Sequence, residues 1–141
     1  MIQNNINWEA RGVCFTETGP CHAGVLLEAL SRIGAHPDFD RFHYVLADLS
    51  ACPALNRCQD SLDPLLAQMI GAHYSNPRVT VYVVTNDALL LRLTRLLQRN
   101  IPWRIHACDT VWQARQAIEK GQLNRPVASA QRPVAGTSGG A

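Results

Sequence analysis

His43-Tyr44-Val45-Leu46-Ala47-Asp48-Leu49-Ser50 is an apolar run that stops on a carboxylate and a hydroxyl. Val79-Thr80-Val81-Tyr82-Val83-Val84-Thr85 repeats the plan, and each run is followed by a turn and then a leucine-rich segment at helical spacing. A short strand that is apolar on both sides needs cover on both faces, which a parallel sheet between helices supplies. The fold class implied is α/β.

Outward from these two strands the pattern changes period several times. Towards the amino end, Ile6 and Trp8 point one way and Val13 and Phe15 share a face, with Ala10-Arg11-Gly12 between them, which predicts a β-hairpin ending at Gly19-Pro20. Val25, Leu26, Ala29, Leu30 and Ile33 predict a first helix that stops at Gly34. After the Asp48 strand, Asp60 or Ser61 caps a second helix marked by Leu62, Leu65, Leu66, Met69, Ile70 and His73, closed by Asn76-Pro77. Asn86-Asp87 caps a third helix carrying Leu89, Leu90, Leu93, Leu96 and Leu97. Ile101 to Ala107 reads as a last short strand, and Thr110 with Gln113 has capping-box spacing for a fourth helix through Val111, Ala114, Ala117 and Ile118, ending at Gly121. The expectation is a mostly parallel central sheet with an amino-terminal hairpin and four helices, the Tyr44 and Val79 strands being parallel neighbours.

Composition narrows the function classes. With 141 residues, 47% of them hydrophobic, the chain suffices for one domain with a core that needs neither disulfide nor metal. We read residues 1–121 as that domain, and residues 122–141, with Pro126, Pro133 and Gly139-Gly140-Ala141, as a disordered tail. Net charge is +2, and Arg125 and Arg132 supply all of it, because the 11 basic groups up to Lys120 match the 11 acidic ones. A neutral folded part does not favour nucleic acid. No apolar run has signal-peptide or membrane-span length, and five cysteines at irregular spacings fit reduced thiols, so the expected setting is the cytoplasm, with no stable membrane insertion.

The hairpin before the first helix, the run ending in Asp48-Leu49-Ser50 and the final strand and helix from Trp103 to Ile118 together resemble the SpoIIAA-like group of STAS-type domains, over Trp8 to about Lys120. The group includes bacterial anti-sigma factor antagonists. In those, the resemblance implies, Asp-Leu-Ser is soon followed by Asp-Ser-Ser/Thr-Gly, whose serine a partner kinase phosphorylates. Counted without a gap, the matching positions here are Asn56, Arg57, Cys58 and Gln59; a four-residue insertion brings Asp60-Ser61 onto the pair but leaves Leu62-Asp63 where Ser/Thr-Gly stands. The chain is therefore closer to a divergent branch that keeps the fold and lacks the phosphoacceptor motif.

Candidate binding residues follow from placement. Asp48 and Ser50 stand at the carboxyl end of a parallel strand, where open α/β sheets bind ligands, although Asp48 equally suits a turn whose backbone N-H groups it accepts. Ser61 at a helix start is either a cap or a phosphoacceptor, and Cys58 falls on the family's modified segment. Arg92, Arg95 and Arg99 form a basic stripe opposite Leu90, Leu93 and Leu97, a solvated face or a surface for an acidic partner. Cys21-His22 and the Cys52, Cys58 pair lack zinc-knuckle spacing, and no phosphate loop, dinucleotide fingerprint or nucleophile elbow occurs, so we expect no metal, no cofactor and no catalysis. The function expected is a regulatory module that binds a protein partner or small ligand, a second copy of the chain included. The alternative is a carrier of an apolar, lipid-like molecule.

Overall fold

A computed structural model describes residues 4–21, 23–53 and 62–123. Strands β1 (Asn4–Trp8), β2 (Gly12–Glu17), β3 (Tyr44–Asp48), β4 (Thr80–Val84) and β5 (Arg104–Cys108) form one sheet in the order β1-β2-β3-β4-β5. The β1-β2 pair is antiparallel and every other pair is parallel, as the two apolar runs required. Ile6 lies opposite Phe15 and Trp8 opposite Val13, so the hairpin keeps the register that its alternation predicts. Trp8 stacks near His36 at 4.2 Å and Phe42 at 6.2 Å, anchoring the hairpin to the segment before β3.

Four helices complete the fold: α1 (Ala23–Gly34), α2 (Leu62–Ser75), α3 (Ala88–Asn100) and α4 (Val111–Leu123). The first three cover one face of the sheet, where Val13, Val45, Val81 and Ile105 make a row across four strands beneath Ile33, Leu65 and Leu93. The caps are mostly those the sequence predicts. Asp87 accepts from the N-H groups of Leu89 and Leu90 at 2.9 and 3.0 Å. Thr110 Oγ1 accepts from Gln113 N-H at 3.1 Å, but Gln113 Oε1 takes the N-H of Asp109, one residue before the expected partner. Buried Asn76 does more than end α2: its Nδ2 donates to the carbonyls of Phe39 and Phe42, and its own carbonyl accepts from Trp103 Nε1.

Two expectations shift. In α2 the buried residues are Leu65 and Met69, while Leu66 is only partly buried and Ile70 is exposed, so the helix turns its core stripe further towards Leu65 than the apolar pattern implies. Leu62 and Leu66 pack partly buried at the margin of the core, and α2 also lies against α1. The second shift is at the end of α4, which runs past Gly121 to Leu123. A glycine inside a helix costs only about 1 kcal/mol, too little to stop it alone.

Candidate functional site

The carboxyl end of β3 holds the predicted pair, Asp48 and Ser50. Asp48 Oδ1 accepts from Ser50 N-H at 3.1 Å and from Ser50 Oγ at 2.6 Å. The carboxylate thus closes its own turn. Cys58 and Ser61, predicted with them, lie outside the described residues. Among the described residues no group of three or more His, Cys, Asp or Glu side chains could hold a metal ion. The thiols of Cys14 and Cys108 are pushed up by burial, and that of Cys52 to about 11, by burial and then by Glu17. Thiols held protonated are poor nucleophiles.

Arg92, Arg95 and Arg99 are exposed along the outer side of α3, whose other side is fixed by buried Leu90, Leu93, Thr94 and Leu97. Among the described residues no carboxylate forms an ion pair with any of the three. The stripe expected from the spacing is therefore present on a helix that is itself well held.

The second face of the sheet has features that the apolar pattern did not reveal. Among the described residues only α4 covers it, packing Ala114 and Ile118 on Tyr44, Leu46, Tyr82 and Val84. Parallel register lines the side chains of this face in rows: Gly12, Tyr44, Thr80 and Arg104 in one, Cys14, Leu46, Tyr82 and His106 in the next. Gly12 is required in the first row, because a Cβ there would lie 2.6 Å from the Tyr44 carbonyl oxygen and 2.7 Å from its ring. The Tyr44 ring crosses that space so that its hydroxyl donates to Glu9. Arg115 of α4 grips the same carboxylate with two bonds of 2.8 and 2.7 Å.

These contacts couple the hairpin turn, β3 and α4. The Arg115 guanidinium holds the Glu9 carboxyl below its usual range, while burial and then Glu9 push the Tyr44 phenol up to about 12, so it remains a donor. None of the three was singled out from sequence, since Glu9 and Arg115 are 106 residues apart.

Where α4 leaves the first row uncovered, an open groove of about 940 Å³ runs between it and strands β3 to β5. Its floor is Thr80, Tyr82, Arg104 and His106, with the Tyr82 and His106 rings stacked at 5.6 Å. Among the described residues no Asp or Glu lines it. The sequence carried one signal for this face: Arg104-Ile105-His106 alternates polar and apolar, unlike β3, so β5 is covered on one side only. On the three-helix side, a pocket of about 40 Å³ lies among Phe15, Leu26, Leu65 and Leu90. That volume admits a water-sized group and not an acyl chain.

No protein-family model matches the chain, and no curated protein matches it significantly. Solved structures do. An uncharacterised protein of the DUF3478 family with a SpoIIAA-like fold, from Shewanella loihica, superposes with a TM-score of 0.54 over 82% of this chain and 92% of that one, at 13% identity. An anti-sigma factor antagonist from Mycobacterium paratuberculosis gives a TM-score of 0.52 over 84% of this chain and 95% of that one, at 16% identity. Likeness at such identity concerns architecture, and it agrees with the hairpin, the parallel strands and the four helices: the chain has the SpoIIAA-like, STAS-type α/β fold.

Proposed function

We propose that the protein is a non-enzymatic regulatory module of the cytoplasm that recognises an acidic protein partner through the outer side of α3. The row Arg92, Arg95, Arg99 carries this reading: three exposed guanidinium groups at positions i, i+3 and i+7 of a helix already ordered by its buried side, with no ion pair to a described carboxylate. Cations on a rigid element meet a complementary acidic surface with little further ordering, which favours fast and selective association. A polyanion is a poorer fit, because the 11 basic and 11 acidic groups up to Lys120 leave no excess charge to hold it.

The likeness to an anti-sigma factor antagonist supports a regulatory role. Thiols raised by burial support a role without nucleophilic chemistry. The ungapped phosphoacceptor position is Arg57, so the module works without a serine phosphate between Leu49 and Ser61. The 40 Å³ space in the core gives no support to an apolar carrier.

The test compares wild type with the triple variant Arg92→Glu, Arg95→Glu, Arg99→Glu in affinity capture from the native host, with thermal melts of both. The expected result is an identified partner with an acidic surface that is released at high salt and lost by the triple variant, whose melting temperature stays unchanged. Equal capture by a folded triple variant overturns the reading.

A further inference from the structure

The groove beside α4 gathers cations from three separate stretches of chain. Arg78 precedes β4, Arg104 opens β5 and Lys120 stands near the end of α4. Arg78 is oriented by donation from Nη2 to the Asp40 carbonyl at 2.7 Å. His106 adds an imidazole ring on the floor, and Thr80 is the register partner of Arg104. The Glu9 carboxylate, on the same face, is gripped by Arg115 and Tyr44. Positive groups therefore converge on a concave space without a described acid to balance them, although the folded part as a whole is neutral.

We infer that this groove is a binding site for a compact organic polyanion, a molecule with at least two phosphate or carboxylate groups held by Arg104, Lys120 and Arg78. The size is right: about 940 Å³ lies within the usual range of small-molecule sites. Lining chemistry adds a second constraint. His106, exposed and stacked on the buried Tyr82 ring, offers a flat wall on the sheet side and Ala117 an apolar one on the helix side, so the ligand presents its charges to the rim and its carbon body to the floor. The segment that follows α4 is a poor occupant by charge, since residues 124–141 contain Arg125 and Arg132 and no Asp or Glu. The site is independent of the α3 surface, which lies across the sheet on the other face.

Calorimetric titration of the full chain with sodium tripolyphosphate and, separately, with citrate tests the site at low and physiological salt. One-to-one saturable binding of at least one probe is expected, weakened tenfold or more by Arg104→Ala or Lys120→Ala and by less in Arg104→Lys. Arg32→Ala, at an exposed residue of α1 across the sheet, is the control for diffuse attraction and leaves the affinity unchanged. Amide resonances of Thr80, Tyr82 and His106 shift on binding, while those of Leu90 to Leu97 do not. Tighter binding of tripolyphosphate assigns a phosphorylated ligand, and tighter binding of citrate a polycarboxylate. Absence of saturable binding by both probes, or an equal loss in Arg32→Ala, overturns the inference; melts of each variant establish that it is folded.

Discussion

The two faces of the sheet are covered unequally. Three helices close one face over a row of Val13, Val45, Val81 and Ile105, and a pocket of about 40 Å³ lies inside. Among the described residues one helix covers the other face, held by a small apolar cluster and by the Glu9, Tyr44, Arg115 contacts, and a groove of about 940 Å³ stays open beside it. The thick side gives the fold its stability. The thin side can afford polar side chains on strands, because water or a ligand satisfies them, and recognition chemistry collects there.

The largest expected effect is on the thick side. Leu65 is fully buried, so Leu65→Ala leaves a sealed cavity and costs about 3 to 5 kcal/mol in denaturant unfolding. On the thin side Ile118 borders the groove, and Ile118→Ala loses transfer energy without sealing a void, at about 2 kcal/mol. Equal losses would remove the distinction between the faces.

Next comes the Glu9 contact, partly open to solvent and therefore worth about 1 kcal/mol, measured as the loss in Glu9→Gln. Because Arg115 lowers the Glu9 pKa in the folded state, the contribution is present above the ordinary value of 4.5 and is lost as pH falls through the folded value. Wild type should lose melting temperature faster than Glu9→Gln on acidification.

Glu17, buried on the thick side, shows the reverse sign. Burial and then Glu28 raise its carboxyl to about 7, so the folded state binds the proton more tightly than the unfolded one. Its contribution is full below 4.5 and is lost as pH rises through about 7. Melts from pH 5 to 8 should therefore decline in wild type and be flatter in Glu17→Gln; parallel profiles would show that Glu17 stays ionised. The smallest effect belongs to the exposed stripe, where Arg95→Ala should change stability by under about 0.5 kcal/mol. A larger loss would mean that α3 needs its cations for folding, which would weaken their assignment to a partner.

Legibility followed the same division. The apolar runs 43–50 and 79–85 and the leucine spacing of α3 announced the thick side, because a face buried under three helices is apolar at most inward positions, Glu17 and Thr94 being exceptions. Asp48 and Ser50 were placed correctly at a strand end, and it took the geometry to show that the carboxylate is engaged with its own turn. In α2 the apolar stripe was wider than the core needed, and Leu65 and Met69 are buried while Ile70 is exposed.

By itself the sequence determined the fold class, the order of the elements, the parallel pairing and the exposed arginine row of α3, since each rests on local period or on which residues tolerate water. The tertiary structure alone decided that α1 to α3 share one face and α4 takes the other, that Glu9 meets Arg115 across 106 residues, and that Arg78, Arg104 and Lys120 ring one groove. Such meetings depend on strand register and on where a helix crosses the sheet, and neither is written into the spacing of neighbouring residues.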